Sequence, residues 1–234
     1  MTTYLKGYCI NLYLLTGVKT MKSKILLLVI VALIVLSFGI AEVSAISSEE
    51  SAANEILNKN NTDSKVLVVY FSRTGDNYNV GNVEVGNTAM VASYIKEYLK
   101  ADSFEIVPIE KYPDSYDECT KKASQEQKDN ARPKIQNKID NFDKYDTRFV
   151  GYPIWWGDLP MIMYSFFDDY KLDGKNVIPF NTHEGSGDAG TYEKIQSKLP
   201  SAKVNTKGLA LDGKTARSDD GKQQTVQWLK GLGY

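Results

Sequence analysis

The chain has 234 residues, 42% of them hydrophobic, with 28 Lys and Arg against 29 Asp and Glu and one His. That length suits one α/β domain with an appendage, and a net charge of −1 with no basic run beyond the N-terminus argues against a nucleic-acid partner. One His and two Cys offer no metal-ligand spacing.

Residues 1–20 are weakly patterned. Met21-Lys22-Ser23-Lys24 then opens a basic start, Ile25 to Ile40 carries no charge, and Glu42 precedes Val43-Ser44-Ala45. A basic start, an apolar centre and a small-x-small end read as a secretory signal, with Met21 as the compact start and cleavage after Ala45. The alternative for residues 1–45 is a retained membrane anchor, although 16 apolar residues fall short of the roughly 20 of a full span. Either reading places the rest of the chain outside the cytoplasm, exported or anchored. Loss of residues 1–45 removes four Lys and one Glu, leaving a net charge of about −4. It also removes Cys9, so Cys119 would have no intrachain partner. Residues 46–64 are rich in Ser, Asn and Glu and read as a flexible linker.

From Lys65 onward strand and helix patterns alternate. The β-branched run Val66–Ser72 predicts a buried strand. Asn87–Lys100 predicts a helix with Ala89, Ala92, Ile95, Tyr98 and Leu99 on one face. Ser103–Ile109 is a second strand and Tyr116–Asn130 a polar helix. Thr147–Pro153 is a third strand, followed by a helix over Pro160–Tyr170 with proline in its first turn. Asn176–Thr182, Ala189–Leu199, Val204–Leu211 and Asp219–Leu232 complete five strand–helix units. Such alternation implies a parallel sheet covered on both faces, with its ligand at the carboxyl ends of the strands where the strand order reverses.

Three loops at that edge have unusual composition. After strand one, Ser72-Arg73-Thr74-Gly75 and then Gly86-Asn87-Thr88 offer hydroxyls, unhindered N–H groups and a helix N-terminus to an anion. After strand three, Gly151-Tyr152-Pro153-Ile154-Trp155-Trp156-Gly157-Asp158-Leu159-Pro160 carries adjacent tryptophans that cannot both face one core, so one should offer a flat exposed surface. After strand four, Asn181 to Asp188 is small and polar and holds the single His. No G-x-S-x-G elbow or G-x-G-x-x-G dinucleotide fingerprint is present after strand one.

On these loops residues 65–234 resemble the flavodoxin family, in particular the branch whose phosphate loop reads S-R-T-G and whose aromatic loop reads G-Y-P-I-W-W. The resemblance implies an α/β, flavodoxin-like three-layer sandwich with a five-stranded parallel sheet in the order 2-1-3-4-5, helices on both faces and noncovalently bound FMN. By position, Ser72, Arg73, Thr74 and Gly75 begin the phosphate loop and Asn87 and Thr88 finish it. The insert Asp76–Val85 interrupts that loop and leaves Asn77 and Asn87 as alternative phosphate contacts. Pro153, Ile154, Trp155, Trp156 and Gly157 correspond to the loop beside the isoalloxazine, with Gly157 as the peptide whose carbonyl can turn toward flavin N5. Thr182, His183, Glu184, Gly185, Ser186 and Gly187 correspond to the third flavin loop. No catalytic proton donor is assigned. The implied function is electron transfer through FMN to a redox partner protein or a small-molecule acceptor. The alternatives are an FMN-dependent NAD(P)H:quinone-type oxidoreductase and a flavin-binding module without turnover.

Overall fold

The computed structural model describes residues 65–234; the signal or anchor read at 1–45 and the linker at 46–64 lie outside the described residues. The first strand, β1, covers Val66–Tyr70. A small hairpin follows, β2 (Gly75–Asn77) and β3 (Gly81–Val83), and then α1 (Asn87–Leu99). Next come β4 (Asp102–Glu105), α2 (Tyr116–Lys128), β5 (Thr147–Pro153) and α3 (Met161–Asp169). The chain ends with β6 (Asn176–His183), α4 (Thr191–Lys198), β7 (Lys203–Val204), β8 (Leu209–Asp212), α5 (Gly213–Ala216) and α6 (Asp219–Gly231).

The main sheet runs β4-β1-β5-β6, with β7 and β8 both on the far side of β6, and every pairing in it is parallel. Counting β7 and β8 as one interrupted strand, the order is 2-1-3-4-5 as the sequence implies. Side chains alternate between the faces, as a strand requires. Leu67, Val69, Phe71, Val150, Tyr152 and Val177 join one core with Ile162, Met163 and Phe166 of α3 and Ile195 of α4. Val68, Phe149, Ile178 and Phe180 join the other with Val91, Ala92 and Ile95 of α1 and Leu229 of α6. The two layers of helices therefore hold β1, β5 and β6 in register and fix where their carboxyl ends emerge.

The fifth strand differs from the single run Val204–Leu211 read in the sequence. β7 pairs with Asn176 and Val177, β8 pairs with Phe180 to His183, and on this edge of β6 neither pairs with Ile178 and Pro179 between them. Pro179 occupies that stretch and has no N–H to give to a ladder. Opposite it run the polar residues Asn205, Thr206, Lys207 and then Gly208, where an added Cβ would lie 2.6 Å from Pro179 O.

The insert also acquires structure. Asp76–Val85 contains most of the β2–β3 hairpin, which forms its own two-stranded sheet and pairs with no other strand. Among the described residues no helix is long and apolar enough to cross a membrane.

Candidate functional site

The carboxyl ends of β1, β5 and β6 open into a cleft of about 250 Å³. Its first wall is the split anion loop. β1 ends at Tyr70, and Phe71 stays beside β5 by donating its N–H to Gly151 O at 3.0 Å. Ser72 then places its Oγ where it accepts the Ala89 N–H at 3.0 Å. It thereby caps α1, whose N-cap Gly86 has no side chain to do so. A Cβ on Gly86 would overlap Ser72 Oγ and the Arg73 carbonyl, so only glycine lets the two halves of the loop close on each other. The amides of Asn87 and Thr88 in the first turn of α1 precede any intrahelical acceptor and suit an anion. Thr88 is buried, and its hydroxyl meets that of Thr182 at 2.8 Å, joining the first loop to the end of β6.

Ser72, Arg73, Asn77, Asn87 and Thr88 all line the cleft, whereas Thr74 and Gly75 lie outside its wall. The insert is the reason: after Arg73 the chain turns away from α1 into β2. Gly75, with φ +85°, packs so closely on the loop before α2 that a Cβ would lie 2.8 Å from Asp114 O. Arg73 holds this departure in place. Its guanidinium donates to Pro113 O at 2.8 Å, to Asp114 O at 2.7 Å and to Asp76 O. Asn77 and Asn87 both reach the cleft, at different places. Asn77 Nδ2 donates to Gly75 O at 3.0 Å, and Asn87 Oδ1 accepts from Arg217 at 3.3 Å.

The second wall is the tryptophan loop. Trp155 and Asp158 close a tight turn, Trp155 N to Asp158 O at 2.9 Å and Asp158 N to Trp155 O at 3.0 Å. Both central residues have positive φ, Trp156 at 52° and Gly157 at 70°, as a two-residue hairpin turn prefers. This turn separates the two indoles. Trp155 packs edge-on against Phe71 and Tyr112, with ring centroids at 5.4 and 4.9 Å. Trp156 is 61% exposed and donates its indole N–H to Thr120 O at 2.9 Å. Pro153, Ile154, Trp155 and Trp156 line the cleft, and Gly157 does not. At the apex of the turn, the Gly157 carbonyl accepts from Lys194 Nζ at 3.4 Å.

The third wall follows β6. Thr182, His183 and Glu184 line the cleft, whereas Gly185, Ser186 and Gly187 do not. These three turn away because Gly185 and Gly187 both take positive φ, and Asn181 Nδ2 ties Gly187 O back at 3.0 Å. His183 Nδ1 accepts the Gly185 N–H at 3.0 Å.

Five cleft residues carry no mark in the loops themselves: Tyr78, Tyr116, Cys119, Thr120 and Ala123. Four of them fall at the i, i+3, i+4 and i+7 spacing that places residues on one face of a helix, and α2 turns that face to the cleft. The signal was present in the periodicity, but the face mixes an aromatic residue with small ones and does not read as an apolar stripe. Cys119 is buried there, and desolvation pushes its thiol pKa up, opposed by the neighbouring Arg73 guanidinium. Tyr78 comes from the hairpin tip.

The cleft therefore offers hydroxyls and helix amides at one end and an exposed indole at the other. This set suits a ligand with an anionic tail and a flat head, so the residues present fit FMN. A family model described as flavodoxin matches residues 65–230. A structure from Bacteroides eggerthii DSM 20697 described as a flavoprotein is 28% identical, covering 73% of this chain and 99% of that one with a TM-score of 0.59. Its counterpart from Bacteroides uniformis ATCC 8492 is 28% identical, covering 71% and 98% with a TM-score of 0.58. A flavoprotein in complex with FMN from Lactobacillus acidophilus NCFM shares the fold at 21% identity, covering 66% and 97% with a TM-score of 0.52. No curated protein matches the chain. The family match spans most of the chain and all three walls of the cleft: the chain belongs to the flavodoxin family.

Proposed function

We propose that this chain binds FMN noncovalently in the cleft and serves as a redox protein, passing electrons to a partner protein or a small-molecule acceptor. The observation that carries this reading is the convergence of an anion cradle and an exposed tryptophan in one cleft at the strand-order switch. When bound, FMN supplies reversible uptake of one or two electrons. The chain supplies position and surroundings. The Ser72 hydroxyl and the amides of Asn87 and Thr88 hold the phosphate, with Asn77 and Asn87 beside it. The Thr88–Thr182 hydroxyl pair keeps this cradle aligned with the third loop. Trp155, anchored on Phe71 and Tyr112, fixes the loop that presents Pro153, Ile154 and Trp156 to the ring. Residues 1–45 would place this domain outside the cytoplasm, as a cleaved signal or an anchor, and residues 46–64 would tether it.

A second reading, an FMN-dependent oxidoreductase acting on a flat acceptor such as a quinone, draws support from Tyr78, Tyr116 and Trp156, which are exposed on the cleft's rim. Rapid mixing of the FMN-loaded protein with NADH or NADPH separates the two. Bleaching of the flavin by either nicotinamide supports the oxidoreductase. Photoreduction in separate one-electron stages, with no bleaching by nicotinamides, supports the electron carrier. Purified protein that takes up no FMN overturns both.

A further inference from the structure

We propose that the β2–β3 hairpin is a latched strap that retains the cofactor, with Tyr78 and Tyr116 facing it and the Asn79–Glu184 hydrogen bond as the latch. The proposal rests on the FMN reading above. The hairpin spans the cleft. On one side Tyr78 stacks on Tyr116 of α2, with ring centroids 5.8 Å apart and planes 29° from parallel. On the other side Asn79 Nδ2 donates to Glu184 Oε2 in the third loop at 2.9 Å. Tyr78, Tyr116 and Glu184 all line the cleft that the hairpin crosses.

The base and the tip of the hairpin are held very differently. At the base, Asp76 N donates to Asp114 O at 2.8 Å, the buried Arg73 guanidinium holds Asp76 O, and Arg217 donates to Val85 O at 2.7 Å. At the tip, the attachments are one exposed side-chain hydrogen bond, a pair of partly exposed rings and the Val80 side chain beside Gly213. Neither strand pairs with the main sheet, so lifting the tip breaks no ladder outside the hairpin. Asn79 has φ 62°, a conformation asparagine tolerates better than most residues. That backbone turn carries its amide to Glu184. A strap fixed at its base and weakly latched at its tip opens by local excursion. Uptake and release of the cofactor both pass through that opening.

The test is the association and release kinetics of FMN with the full chain, followed by flavin fluorescence in stopped flow. Asn79→Asp keeps a residue that accepts the turn but sets two carboxylates against each other. Both rates should rise about tenfold, the scale of one charge-assisted hydrogen bond, with Kd changed far less. Asn79→Asp combined with Glu184→Gln restores an amide–carboxylate bond with the roles exchanged and should return both rates toward those of the wild type. Tyr78→Ala, which removes a cofactor-facing ring, should speed release and weaken Kd. If Asn79→Asp leaves both rates within about twofold, or if Glu184→Gln fails to restore them, the latch is overturned while FMN binding stands. If the wild-type chain takes up no FMN, the FMN reading falls and the strap falls with it.

Discussion

The two ends of the cleft are built by opposite means. The tryptophan end closes on itself: Trp155 and Asp158 exchange two backbone hydrogen bonds across a turn of two residues. The anion end is assembled from parts far apart in the chain. Ser72 caps Ala89 across 17 residues, and Thr88 meets Thr182 across 94. A local turn needs only its own residues to form, whereas the cradle exists only when β1, α1 and β6 are already packed. Damage to the anion end should therefore cost global stability, and damage to the exposed Trp156 at the tryptophan end should be confined to the surface it presents.

The largest effect should come from Gly86→Val. Its side chain would meet Ser72 Oγ and backbone of Arg73, which cannot move aside. Overpacking at such a junction costs about 3 kcal/mol, read as a lower urea midpoint, and FMN uptake should be lost. Next is Arg73→Met, which leaves the carbonyls of Asp76, Pro113 and Asp114 without this donor at about 2–3 kcal/mol. Thr88→Val strands the buried Thr182 hydroxyl for about 1–2 kcal/mol. A double-mutant cycle with Thr182→Val should recover most of that loss.

Alkaline titration sharpens the comparison further. Tyr70 ends β1 beneath the cradle, and its pKa is pushed up to about 12, first by burial and then by the Glu105 carboxylate opposite it. An unfolded tyrosine titrates near 10, so the folded state favours the protonated phenol. This contribution is complete below about pH 10 and is lost as the pH rises through about 12. Denaturation midpoints should fall over that window, and more steeply in the wild type than in Tyr70→Phe. The smallest stability change is expected for Trp156→Ala, under about 1 kcal/mol because the ring is mostly in water. It should nonetheless alter the absorption spectrum of bound FMN. A loss comparable with that of Gly86→Val would mean that the tryptophan end is not autonomous.

Much of this was readable from the chain. Thr147–Pro153 begins and ends where the strand–helix alternation places the third strand, and the adjacent tryptophans divide between core and surface as two large rings must. The parts that were not readable involve residues distant in sequence. Nothing near Thr74 says that the insert will pull it away from α1, because that path is set by Arg73 reaching Pro113 and Asp114. The position of Gly157 at the apex beside Lys194 follows from the closure of Trp155 on Asp158 and from α4, which no spacing in the loop announces. The break between β7 and β8 follows from Pro179 on the neighbouring strand, not from the residues of the break.

The junction at Gly86 has one more consequence, for how such chains diversify. Ser72 and Ala89 close the cradle from outside the inserted segment, with Gly86 as the seam. The segment between is thus a cassette: its length and composition can change while the anchoring chemistry beneath stays constant. A library that varies residues 78–82, with Ser72, Arg73, Asn77, Val83 and Gly86 retained, samples new specificities on one unchanged foundation.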